Sequence, residues 1–148
     1  MKTKYISTIL QHMQEKAGCE IIDVVDHQDI ATVKLNISSF PPKSDYQISF
    51  FEADGAGTLG MKIRWTIGKV TNFSVVWKCL VLNENTFLNQ GPLFAAIIPR
   101  GDDGIFSLVG QMIFSPNTPP EEIATLWLNQ AFLNYALFGI SAPGVEMF

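Results

Sequence analysis

The sequence predicts an α+β domain, and three observations carry that prediction. Short segments of strictly alternating apolar and polar residues follow one another across polar turns, as in Leu59, Met61, Ile63, Trp65 and Ile67 interleaved with Gly60, Lys62, Arg64 and Thr66. Three other segments repeat their apolar residues at helical spacing. The helices interrupt runs of strands rather than following each strand singly. An antiparallel sheet with helices packed on it is therefore expected, in the order α-β-β-β-β-α-β-β-α. At 148 residues the chain makes one domain, 1–148, long enough to bury a substantial core.

The first helix runs from about Thr3 to Ala17, where Tyr5, Ile6, Ile9, Leu10, Met13 and Ala17 form one face and Gly18 stops it. Cys19 to Val25 is apolar and β-branched, and Asp26-His27-Gln28-Asp29 reads as a turn. Ala31, Val33, Leu35 and Ile37 alternate with polar residues, as do Tyr46, Ile48 and Phe50 beyond the proline-containing loop 38–44. Asp54-Gly55-Ala56-Gly57 turns the chain into the strand Leu59 to Ile67. Phe73, Val76, Trp77, Leu80, Phe87 and Leu88 then fit a second helix, capped by Thr71 or Asn72 and stopped at Gly91-Pro92; Val75, Val81 and Leu82 blur the stripe, so burial on more than one side is expected. Leu93 to Pro99 and Ile105 to Phe114 form a hairpin across Arg100–Gly104. Thr118-Pro119-Pro120-Glu121-Glu122 opens the last helix with a cap, prolines in the first turn and acids at the positive end of the dipole. Gly139 closes it, and 140–148 is expected to be a loosely ordered tail.

Charged residues make up only 16% of the chain, against about 25% in an average soluble protein, which suits a surface partly hidden in a partner. All ten Lys and Arg lie at or before Arg100, so the net charge of −4 arises in the last third. No basic run with interleaved aromatics is present, which argues against nucleic acid as a partner. No stretch approaches the roughly 20 apolar residues of a membrane span. The first residues lack the apolar core and cleavage site of a signal peptide, and Cys19 and Cys79 lack CxxC spacing. A cytoplasmic protein with two reduced thiols is expected.

Candidate chemistry is thin. Asp23, Asp26, His27 and Asp29 could gather round a hard cation, but a polar hairpin explains them better. Glu52 and Asp54, and the Gly101-Asp102-Asp103-Gly104 hairpin, lack the alternating acids and closing Glu of a calcium loop. Gly55–Gly60 lies between strands, whereas a phosphate cradle opens onto a helix. His12 has no acid or Cys at triad spacing, and Cys79 sits among apolar helix residues as a structural thiol. No catalytic residue, metal ligand or cofactor site is expected.

Asn83-Glu84-Asn85 near the end of the second helix, the following strand, the Gly101-Asp102-Asp103-Gly104 hairpin, the longer strand after it and the Pro119-Pro120-Glu121-Glu122 entry to a last apolar helix together resemble the YbjN family. The specific part of the resemblance lies between about Thr71 and Phe138; the preceding helix and strands fit as an order of elements. That family has a fold like the class I type III secretion chaperones. The latter have three strands before the middle helix where this chain has four, which favours the YbjN branch. The resemblance implies a small, acidic, cytosolic, non-catalytic protein, often dimeric, that binds other proteins in a chaperone-like or regulatory role. The competing expectation is a small apolar ligand, or an unrecognised enzymatic substrate, in a pocket between sheet and helices lined by Trp65, Trp77 and Trp127.

The last helix carries two apolar stripes, where a monomer's surface helix needs one. Ile123, Leu126, Trp127, Leu133 and Leu137 form the first, and Leu128, Phe132, Tyr135 and Phe138 the second. With the first stripe on the core, the second is expected to form a homodimer interface, together with the middle helix and the strand Ile105 to Phe114, and Phe132→Glu to break it; the alternative is that the first helix covers the second stripe.

Overall fold

A computed structural model describes residues 3–27, 30–37, 45–53, 57–88, 91–139 and 144–148, of which 3, 4, 17, 22–27, 30, 31, 35–37 and 131–139 are described by backbone alone. The elements in chain order are α1 (Thr3–Ala17), β1 (Cys19–His27), β2 (Ile30–Ile37), β3 (Asp45–Glu52), β4 (Leu59–Val70), α2 (Ser74–Leu88), β5 (Leu93–Arg100), β6 (Asp103–Phe114), α3 (Pro120–Gly139) and β7 (Val145–Met147). The fold is α+β, with one antiparallel sheet ordered β1-β2-β3-β4-β6-β5 and β7 added to β4. Among the described residues no helix is long and apolar enough to cross a membrane.

The alternation legible in the sequence sets the register. Tyr46, Ile48 and Phe50 of β3 stand opposite Trp65, Ile63 and Met61 of β4, and Trp65 stands opposite Leu108 of β6. These residues are buried on one face, because a period of two sends every second side chain to the same side. Ile6, Ile9 and Met13 of α1, Val75 and Cys79 of α2, and Ile123, Ala124 and Trp127 of α3 join them in one buried cluster. The opposite face carries Lys34, Lys62, Arg64 and Gln111, which stay exposed.

Three expectations are corrected. Asp26 and His27 belong to β1, paired with Ala31 and Ile30, so the β1–β2 turn is shorter than the four polar residues suggested. Asp29 and the side chains of Asp23, Asp26 and His27 lie outside the described residues, as does Asp54. β4 runs three residues past Ile67, through an irregularity between Thr66 and Gly68. The tail does not fray at its end. Residues 145–147 form β7 against Gly68–Val70, while 140–143 lie outside the described residues.

α1 and α3 pack side by side over the sheet. The Tyr5 hydroxyl donates to the Thr118 carbonyl, and Lys16 Nζ lies 3.4 Å from Glu121 Oε1. The deepest tie is buried. Trp127 Nε1 donates to Tyr46 Oη at 2.8 Å, with the two rings edge-on at 6.0 Å between centroids. Tyr46 also lies against Trp65 at 5.7 Å. Complete burial raises the Tyr46 pKa far above that of a free phenol, so its hydroxyl stays neutral.

Candidate interaction surface

α2 begins where Asn72 Oδ1 accepts the Ser74 N–H at 3.0 Å, so Asn72 is the cap. One side of the helix faces inward through Val75 and Cys79, with Leu82 partly buried against the same cluster. Asn83, one residue on, does something the spacing did not disclose. Its side-chain amide pairs with the backbone of the edge strand β5, donating to the Ala95 carbonyl at 3.0 Å and accepting the Ala95 N–H at 2.6 Å. This seals the edge at Ala95, where an unpaired strand would otherwise invite another chain.

Burial of α2 on more than one side, expected from the sequence, is not found among the described residues. Phe73, Val76, Trp77, Leu80, Phe87 and Leu88 are all exposed, Phe73 by 87%, Trp77 by 73% and Leu80 by 57%. Toward the core α2 presents Val75, Cys79 and Leu82, and Asn83 reaches the β5 backbone. The outward stripe Phe73, Trp77, Leu80, Val81, Phe87 and Leu88 repeats at helical spacing, interrupted by one charge, Glu84. Three largely exposed aromatic rings put the patch at roughly 300–600 Å², at the upper end for a monomer. At the start of α2 the stripe meets a groove of about 460 Å³ lined by Val70, Phe73, Val76, Ile97 and Pro99, with Asp102 and Asp103 beside it. Asp103 is 3.3 Å from Lys69.

On α3, Ile123 and Trp127 face the core as expected, with Ala124 between them. Leu126, assigned to the same stripe, is exposed, and Leu128 of the expected interface packs partly buried against the core. The inward side carries Ile123, Ala124, Trp127 and, in part, Leu128, and on it Trp127 is bonded to Tyr46. The side chains of Phe132, Tyr135 and Phe138 lie outside the described residues.

The three tryptophans do not line a common pocket: Trp65 and Trp127 are fully buried in the packed core and Trp77 stands outside it. Among the described residues no group of three or more His, Cys, Asp or Glu could hold a metal ion. His12 lies 3.8 Å from Glu15, and Glu52 accepts the Gly57 N–H at 2.9 Å within its turn. Burial raises the pKa of both Cys19 and Cys79, with a backbone hydrogen bond opposing it in part. Both thiols are expected to resist a thiol-specific reagent at neutral pH and to react once the chain is denatured. Prompt native labelling of either would contradict its placement in the core.

A stripe of apolar side chains on a helix locked to the sheet edge is suited to binding another polypeptide. No family model, no curated protein and no solved structure matches the chain.

Proposed function

We propose that this is a non-catalytic protein-binding module, chaperone-like or regulatory in the manner the YbjN resemblance implies, acting in the cytoplasm as a homodimer. The observation that carries the reading is the exposed stripe on α2. A two-fold axis near Leu80 would set two α2 helices antiparallel, with Phe73 near the partner's Leu88 and Trp77 beside the partner's Glu84. Symmetric closure of this kind is the commonest way to hide a self-complementary patch. The α2 stripe supplies the middle-helix part of the expected interface; on α3, Leu128 packs partly buried against the core, and the side chains of Phe132, Tyr135 and Phe138 lie outside the described residues. A client would then use the groove beside Phe73 or add a strand to the sheet. Asn83 obstructs the β5 edge, which leaves β1 as the better acceptor. The competing reading, a small apolar ligand held among the tryptophans, is disfavoured by their separation.

Trp77 supplies the test, since Trp65 and Trp127 are already buried. Raising the concentration through the micromolar range should shift tryptophan emission to the blue as light scattering reports a dimer, in both low and moderate salt. Trp77→Glu and Leu80→Glu should each raise the dimer dissociation constant by about 30-fold or more, as for a central aromatic or aliphatic anchor, without loss of circular dichroism. A strictly monomeric mass in both salts would refute the homodimer.

A further inference from the structure

β3 leaves β4 at Thr66, opposite Asp45, yet β4 continues to Val70. β7 takes the vacated side of that overhang, with Gly68 opposite Met147, Lys69 opposite Glu146 and Val70 opposite Val145. The pairing extends at both ends. Phe148 N–H donates to the Ile67 carbonyl at 3.0 Å, and the N–H groups of Thr71 and Asn72 converge on the Gly144 carbonyl at 2.7 and 3.3 Å. Asn72 is also the cap of α2. The fit requires bare backbone at two places. A Cβ on Gly68 would lie 2.4 Å from the Glu146 carbonyl oxygen; Gly144 has φ +85° and a Cβ there would lie 2.8 Å from the Asn72 carbonyl oxygen. Val145 packs against the core, while Glu146 and Met147 are exposed.

We propose that Gly144–Phe148 is a strap seated in a strand-acceptor slot at the β4–α2 junction, and that it sets the pose of α2 and so of the apolar stripe. The slot selects an extended segment with glycine first and a branched apolar residue second, and makes no demand on the third and fourth residues. Its occupant is this chain's own segment. The effect on self-association rests on the dimer reading above; the effect on the junction does not.

The test compares Gly144→Ala with Glu146→Ala in the full chain. Amide hydrogen exchange is read at Thr71 and Asn72, and self-association by sedimentation. Gly144→Ala should speed exchange at both amides by about tenfold, the signature of local opening, and weaken the dimer several-fold. Glu146→Ala should change neither. Unchanged exchange in Gly144→Ala, or an equal rise in Glu146→Ala, overturns the strap. Faster exchange with an undiminished dimer overturns its control of the pose of α2. A monomeric parent protein removes the dimer reading alone, and exchange still decides the strap. Should Gly144→Ala unfold, the near-isosteric Val145→Thr is read in its place, with the same expectations and the same overturning results.

Discussion

Trp127→Ala is expected to lower stability by about 3–5 kcal/mol, the range for deleting a buried large aromatic side chain. The residue is fully buried, and its removal opens a cavity beneath α3. It also removes the edge-on contact with Tyr46 and the 2.8 Å hydrogen bond to its hydroxyl. Two milder variants separate the terms. Trp127→Phe keeps much of the ring volume and loses the donor. Tyr46→Phe keeps its ring and leaves the Trp127 N–H buried without an acceptor, at about 1–3 kcal/mol. If the hydrogen bond matters, Trp127→Phe should be less damaging in the Tyr46→Phe background than in the parent. Urea denaturation of the four proteins measures this, and strictly additive losses would show that packing alone holds α3.

The same interaction marks where sequence reasoning reached its limit. Strand alternation was enough to place Tyr46, Ile48 and Phe50 beside Trp65, Ile63 and Met61, because a period of two admits one inward face. The α+β class, the three helices and the first six strands follow from that logic. A helix gives less direction. When apolar residues occupy most sides, spacing alone cannot say which side meets the sheet. On α3 the side with Ile123, Ala124 and Trp127 meets the core, and Leu126 and Leu128 end opposite to expectation.

On α2, where burial on more than one side was expected, the outer side is exposed. The largest side chains were expected inside, as burial of apolar area would favour. Val75, Cys79 and Leu82 face the core instead, and Phe73, Trp77 and Phe87 are exposed. The signal available in the sequence was Asn83, a polar residue one position beyond Leu82 on the inward side. A carboxamide there announces a backbone to be bonded, and hence a helix held close. The tail held a signal too: Gly144 followed by Val145 and Met147 is a turn residue and a strand fragment, too short for alternation to be decisive.

Asn83→Asp should be among the most damaging conservative changes in the chain. The asparagine is half-buried and uses both ends of its amide on Ala95. Asn83→Ala removes both bonds and leaves the Ala95 backbone groups unpaired, for an expected loss of about 1–3 kcal/mol. An aspartate is nearly the same shape and still accepts the Ala95 N–H. Its other oxygen, however, faces the Ala95 carbonyl, and a charge in this half-buried place is poorly solvated. At neutral pH the expected loss is about 3 kcal/mol, at or above that of the alanine variant. The sign of the pH dependence follows. Only the protonated acid can donate to the Ala95 carbonyl, so the folded state raises the pKa of this group above its unfolded value of about 3.9. The folded state then holds the extra proton, and stability relative to the parent falls as pH rises from about 4 through the folded pKa. Acidifying from pH 7 towards 4 should therefore shrink the gap between Asn83→Asp and the parent, while the gap for Asn83→Ala stays flat. Both variants should also expose the β5 edge and aggregate faster than the parent, as an unsealed edge strand invites pairing. Denaturation midpoints across that pH range decide the matter: a penalty that does not change with pH, or one no larger than a surface substitution's, would show that the Asn83 amide does not hold α2 to the strand.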